Sequence, residues 1–188
     1  MTPIAASHIS ASADVTDKQL KSALAQRMDP PRRVDRLILS SLLGCATLQT
    51  TLSSNCGLYL AARYPCRPNM QSLMEAVCLS AKQPKPFEFV NSVSNAAGFH
   101  IAQRLGLEGP NLFIGANQHT WERLLELASL DLNSGVVEQA LLVYCDNPNK
   151  VEVFCLLLQG PGPVPSQPDF NQLSQHIKVH SLHLDAAS

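Results

Sequence analysis

Gln118 and His119, in the run ANQHTW (116–121), are the first side chains whose types suggest chemistry. An imidazole can serve as a general base, whereas an amide donates and accepts hydrogen bonds but forms no acyl intermediate. With no nucleophile and no carboxylate orienter beside it, His119 reads as a packed or partly exposed side chain. Six cysteines, Cys45, Cys56, Cys66, Cys78, Cys145 and Cys155, raise thiol chemistry or a disulfide framework. None stands in a C-x-x-C pair, so no metal site is expected. Most sit in apolar runs such as LLGCATL and VFCLLL, where cysteine behaves as a small buried hydrophobe. Cys145, ending a strand before a turn, is the one expected to be most exposed. Three histidines of the tail, His176, His180 and His183, fall in no catalytic motif. Arg32, Arg33 and Arg36 cluster at a helix start, where positive charge is unfavourable. They read as a solvated face or a contact for an acidic partner. Glu108 and Glu138 read as turn residues.

These residues need elements to position them. Residues 2–12 are β-permissive and read as a first strand. The polar stretch 14–27 reads as a helical turn or loop. Asp29-Pro30-Pro31 is a helix-start signal, an Asp cap with Pro in the first turn. Val34, Leu37, Ile38, Leu42 and Cys45 follow at helical spacing. CGLYLA (56–61) reads as a buried strand, and Pro65 to Pro68 breaks the chain. Helices are expected over 70–81, 92–105 and 118–132, the last stopped by Asn133-Ser134-Gly135. NLFIGA (111–116), QALLVY (139–144) and VEVFCLLL (151–158) read as strands. The short turn at 146–149 makes the last two antiparallel neighbours. The segment 159–168 is rich in Pro and Gly, and IKVHSLHL in the tail alternates like an edge strand or a partner contact. Strands alternating with helices define an α/β layered domain. A mostly parallel five-stranded sheet with helices on both faces is expected, with residues 1–158 as the domain and 159–188 as loop and tail.

The chain has 188 residues, 45 % of them apolar and 15 % charged, with a net charge of −1. That suits one folded domain with a sizeable core and excludes a charge-rich disordered chain. Without a basic excess, nucleic acid is not an expected partner. The N-terminus has no basic region or long apolar core of a secretion signal, and no apolar run reaches membrane-span length. A cytoplasmic protein with reduced thiols is expected. So few charges imply that much of the surface is covered, most simply by a second subunit.

From Arg27 to Leu158 the chain resembles the N-terminal half of a β-ketoacyl synthase, a condensing enzyme of the thiolase fold. The strongest part is NSVSNAAGFHIAQRLGLEGPNLFIGANQHTWERLLELASLDLNSGVVEQALLVYCD (91–146), and its LGLEGP turn (105–110) is the most specific piece. The resemblance implies a reactive cysteine where the helix begins after the NLFIGA strand. Gln118 stands there instead, as in chain-length factors and in Gln-type decarboxylating domains. A full synthase draws two histidines and a lysine from its second half, and these have no match here. Trp121 replaces a residue that is commonly small, and it either plugs the former pocket or packs in the core.

What the resemblance implies is a non-catalytic, chain-length-factor-like subunit that pairs with a full-length β-ketoacyl synthase and needs no cofactor. It meets acyl carrier protein only through that synthase. Residues 111–117 (Asn111, Leu112, Phe113, Ile114, Gly115, Ala116, Asn117) would form the interface. Phe113, Gln118, His119 and Trp121 would line the acyl tunnel or the dead site, with Phe113 reaching the tunnel or the dimer axis. Polyketide or fatty-acid-like synthesis is implied, and aryl polyene synthesis, with its discrete condensing subunits, fits best. The alternatives are a minimal Gln-type malonyl decarboxylase using Gln118 and His119, and a stand-alone acyl-binding protein.

Overall fold

A computed structural model describes residues 1–63, 65, 67–80, 83, 86–146, 151–163 and 168–186. Its centre is a mixed sheet of six strands in the order β3-β2-β4-β5-β1-β6. The strands are β1 (Thr2–Ala11), β2 (Cys56–Ala62), β3 (Asn111–Gly115), β4 (Gln139–Cys145), β5 (Val151–Gln159) and β6 (Val179–Leu184). β2 runs parallel to β3 and β4, β5 is antiparallel to β4 and β1, and β6 is parallel to β1. The expected five mostly parallel strands are thus six in a mixed sheet. Two antiparallel pairings flank β5, and the tail adds a strand at the edge.

β2 and β4 are buried at every residue, as their unbroken apolar runs require in a sheet covered on both faces. On one face lie α1 (Asp17–Ala25), α2 (Arg36–Thr47) and α5 (Ala96–Leu105); on the other lies α6 (Thr120–Asn133). α1 begins at a reciprocal capping box between Thr16 and Gln19, which makes the 14–27 stretch a true helix. α2 runs through the core, and Ser41 and Thr47 satisfy their hydroxyls on helix carbonyls four residues back.

The start of α2 corrects the sequence reading. Its cap is Asp35, whose Oδ1 accepts from the Ile38 amide at 3.0 Å, and not Asp29. Asp35 wins through long-range partners: Asn69 donates to its Oδ2 at 2.9 Å, while Asn91 donates to the Arg33 carbonyl at 2.8 Å. Arg33 itself takes a left-handed φ of 57°, which breaks the run that Pro30-Pro31 would otherwise begin.

The LGLEGP turn has a physical account. Gly106 ends α5 in the left-handed conformation at φ 65°. A Cβ on Gly109 would lie 2.5 Å from the Cys56 carbonyl oxygen, so only glycine lets this turn press against the start of β2. The helix expected over 70–81 is α3 (Arg67–Met74) followed by a π-helical turn (Glu75–Leu79), with Ala81 outside the described residues. A short α4 (Pro86–Val90) precedes α5, and α7 (Phe170–Leu173) lies in the tail. The 146–149 turn lies outside the described residues after Asp146, but the antiparallel pairing it implied is present. Among the described residues no helix is long and apolar enough to cross a membrane.

Candidate functional site

β3 carries the chain to one edge of the sheet, and the site lies where it hands over to α6. The Ala116 amide extends the ladder to the Ala62 carbonyl at 3.0 Å. Asn117 to Thr120 then form a tight turn. The Asn117 amide donates to Thr120 Oγ1 at 2.8 Å, and that hydroxyl donates to the Asn117 carbonyl at 2.6 Å. Asn117 Oδ1 accepts from the His119 amide at 2.9 Å. The helix therefore begins at Thr120, and Gln118 stands exposed just ahead of it instead of in its first turn.

Gln118, His119 and Glu122 form a hydrogen-bonded chain. Gln118 Nε2 lies 3.2 Å from His119 Nε2, and His119 Nδ1 lies 3.1 Å from Glu122 Oε2. The arrangement is satisfied when Nδ1–H donates to Glu122 and Nε2 accepts from the Gln118 amide. The expectation that His119 lacks a carboxylate orienter is thus overturned. Glu122 sits one helical turn on, a spacing visible in HTWE but unread without the helix register. The chain ends in an amide, and an amide side chain forms no acyl intermediate.

Behind this turn is a cavity of about 770 Å³. Gln118 and Trp121 line it; His119 does not. Trp121 is buried and meets Tyr144 edge to face, with ring centroids 5.7 Å apart. It is both core and cavity wall. Phe113 lies on the opposite side of the sheet, packed against the chain's own core beneath α2 and α5. Ile114 and Ala116 point to the α6 side, as strand alternation requires. Leu112 is 40 % exposed, and a Cβ on Gly115 would meet open space. Of the lining residues the sequence reading singled out only Asn117, Gln118 and Trp121; among those it missed are His8, from β1, and Phe170, from the tail. No local signal brings either to Trp121; the tertiary fold does.

The other candidates fall elsewhere. Cys145 is buried, so the expectation that it is the most exposed cysteine is wrong. Burial pushes its thiol up to about 12, and its sulfur lies 3.3 Å from the Ser41 hydroxyl. Cys45, Cys56 and Cys155 are buried free thiols as well, while Cys78 is the exposed one and Cys66 lies outside the described residues. Arg36 pairs with Asp17 at 3.0 Å, and Glu138 accepts from the Ser53 hydroxyl at 2.9 Å. His183 bridges Ser10, at 2.7 Å, and Asp185, at 3.1 Å. β1 is laddered on both sides at Ser10, which commits its backbone amides and leaves no oxyanion donor there. His176 and His180 are four residues apart, but on a turn and a strand, so that spacing does not align them. Among the described residues no group of three metal-ligating side chains comes together.

Exposed apolar side chains concentrate in one stretch of the chain, which ends on β3. Of eleven large exposed hydrophobic residues among those described, nine lie between Met70 and Leu112. Phe99 and Val93 flank the start of α5, which packs on β3, and Asn95 bonds to Asn111 at 3.1 Å.

No protein-family profile matches this chain, and no curated protein matches it in sequence. Solved structures do match. The ishigamide ketosynthase/chain length factor superposes with a TM-score of 0.62 at 14 % identity, over 78 % of this chain and 50 % of that one. The ketosynthase ApeO in complex with its chain length factor ApeC, from Xenorhabdus doucetiae, gives 0.64 at 13 % identity, over 86 % of this chain and 79 % of that one. The fold is thiolase-like. Ketosynthase twelve of the bacillaene polyketide synthase from Bacillus amyloliquefaciens matches at 0.50 and 17 % identity, over 84 % of this chain and 33 % of that one. This thiolase-like chain thus spans half the length of the first of these proteins and a third of the last. The layered α/β expectation holds, as does the resemblance to ketosynthase and chain-length-factor folds.

Proposed function

We propose that this chain is a non-catalytic, chain-length-factor-like subunit that binds a full-length β-ketoacyl synthase and shapes its acyl tunnel. The setting is polyketide, polyene or fatty-acid-like biosynthesis, with an aryl polyene pathway the best fit. The carrying observation is Gln118, exposed in the turn between edge strand β3 and α6, where the resemblance puts the acyl-bearing cysteine. Three further features support it. The structural neighbours include ketosynthases with chain length factors. β3 offers an open backbone edge that carries exposed Leu112, and the adjoining α5 carries exposed Phe99. The buried thiols are unsuited to act as nucleophiles: burial drives Cys145 and Cys56 to about 12. Acyl carrier protein would be met through the synthase, and the compartment would be the cytoplasm.

The test is co-expression with a full-length ketosynthase of the same source, followed by incubation of each protein with malonyl-carrier protein. A one-to-one complex is expected, with no carbon dioxide release and no acyl adduct on this chain alone by mass spectrometry. Gln118→Cys should not confer condensation, because the new thiol would still lack catalytic histidines. Carbon dioxide release by the isolated chain would instead favour a Gln-type decarboxylase and overturn the proposal.

A further inference from the structure

Five rings, from β1, β4, β5, α6 and α7, wall the cavity. His8 stacks on Phe154 with centroids 4.4 Å apart and planes within 3°. Trp121 stands at 87° to Tyr144 and at 73° to Phe154, with centroids 5.7 Å and 6.5 Å away. Phe170, from the tail, tilts against Trp121 at 5.8 Å and against Phe154 at 5.1 Å. The steep angles turn ring faces in several directions around one space. An aromatic face carries the negative part of the ring's quadrupole, and it attracts a cation seated within about 6 Å of its centre.

The charges around the rings have the same preference. Asp146 and Asp169 line the cavity with Arg63, so two carboxylates stand against one guanidinium. A third, that of Glu152, has its Oε1 3.6 Å from His8 Nε2. Asp146 accepts from the Tyr144 hydroxyl, and Asp169 Oδ1 accepts from the Asn171 amide at 2.9 Å. Neither donor carries charge, so these bonds fix the two carboxylates without neutralising them. A primary ammonium entering here would need a partner for every N–H it brings against an apolar wall. A quaternary ammonium has no N–H to satisfy, and its methyl groups pack on the rings.

We infer that this cavity is a binding site for a small, soluble quaternary ammonium compound, with the ring of Phe170 and the carboxylate of Asp169 completing a cage begun by Trp121, Tyr144 and Phe154. The inference stands on the rings and charges and not on the proposed function. At about 770 Å³ the space takes a trimethylammonium group and leaves room for the rest of such a molecule. Asp169 and Phe170 lie beyond residue 158, so the tail belongs to the site and does not merely follow it.

Choline is the probe. Its neutral isostere, with a tert-butyl group in place of trimethylammonium, has the same shape and no charge. Both are titrated by calorimetry into the full chain, or into its complex with the synthase if the chain is isolated only in that form, with the synthase alone as the blank. The chain's single tryptophan, Trp121, lines the cavity and gives a second readout by its emission. Choline should bind saturably, with a Kd at least about tenfold below that of the isostere. Phe170→Leu keeps an apolar contact and removes the ring, whereas Asp169→Asn keeps a capping oxygen and removes the charge. Each should weaken choline at least about threefold and change isostere binding at most about twofold, a selective loss that unfolding would not produce. No saturable choline binding up to roughly 10 mM, equal affinity for the two probes, or an unchanged choline affinity in either variant would overturn the inference. Phosphatidylcholine vesicles present the same group on a membrane. Trp121 and Tyr144 are only 8 % and 9 % exposed, too recessed for a head group anchored in a bilayer, so the vesicles should not sediment the chain. Sedimentation that choline competes away would overturn the assignment to a soluble ligand.

Discussion

Leu112→Lys is the sharpest test of where a synthase would dock. Leu112 sits in the middle of edge strand β3 and is 40 % exposed, so two-fifths of its surface is available to a partner. Burying a whole leucine side chain is worth about 1.5–3 kcal/mol, so covering that remainder contributes roughly 1 kcal/mol. Leu112→Ala should therefore raise the Kd for the synthase about fivefold. A lysine ammonium trapped without a partner in an apolar interface costs on the order of 3 kcal/mol or more, which is a hundredfold or greater rise in Kd. The isolated fold should hardly notice, since exposed substitutions stay within about 0.5 kcal/mol, under about 2 °C in Tm for a chain of this size. Phe113 is the wrong probe, because it packs into the chain's own core and Phe113→Asp would damage the domain itself. Ser181→Lys, exposed on β6 at the opposite edge, is the control and should leave the Kd unchanged. Titration calorimetry or size-exclusion of the mixed proteins reads all three variants. If Leu112→Lys binds the synthase as the unaltered chain does, β3 is not at the interface and the partner geometry is wrong.

Three further outcomes test the fold around the site. Tyr59 is fully buried and its hydroxyl donates to Asp131 at 2.6 Å, so it ties β2 to α6; Tyr59→Phe should cost about 1–3 kcal/mol in denaturant unfolding, because Asp131 loses a buried donor. Asp35 is held above the usual carboxylate range, mainly by burial and against the opposing amide bond from Ile38. Its folded value exceeds its unfolded one, so its contribution is fully present below about 4 and is lost as pH rises through the folded value. Asp35→Asn, which keeps the cap without the charge, should flatten that slope; Asp35→Ala should flatten it too and lie about 1 kcal/mol below Asp35→Asn at every pH, the cost of the lost cap. His100 is held below the ordinary histidine value, first by burial and second by Arg104, and its buried Nδ1 has no hydrogen-bond partner. The unfolded chain therefore takes the proton first, and stability should fall as pH drops from about 6.5 through the depressed folded value; His100→Gln should remove that slope in thermal melts at pH 7.5 and 5.5.

Elements with strong periodicity or obligatory glycines were legible in the sequence, and those decided by distant partners were not. β2, β4 and β5 stand within a residue of their apolar runs, and Gly106 and Gly109 explain the LGLEGP turn. The α2 start went to the wrong aspartate because Asn69 and Asn91, which select Asp35, are far away in the chain. The sheet was undercounted for a related reason. IKVHSLHL was readable as an edge strand, but nothing local says that it lies beside β1. Gln118 is singled out in the sequence by its fixed distance from a recognisable turn. Of the cavity behind it little is legible locally: Trp121 is three residues away, whereas His8 and Phe170 arrive from the two ends of the chain. Phe113 was assigned correctly to a strand face, but which face meets the core is a property of the sheet's helical cover and not of the alternation.

The two edges of the sheet differ in a way that bears on partner choice. A free edge strand invites pairing, and proteins that leave one exposed guard it with charge, proline or polar side chains. β6 is guarded in this manner: VHSLHL carries His180 and His183, with Lys178 and Asp185 at its ends. β3, NLFIG, has no charge and no proline; Leu112 is exposed on it, and Phe99 is exposed on the adjoining α5. An unguarded edge beside an uncovered apolar surface is unfavourable for a lone chain and favourable for one that is normally paired. On the β3 edge a lysine would help solubility but block a partner, and that is why the Leu112 and Ser181 variants should behave differently although both place the same charge on an edge strand of the same sheet.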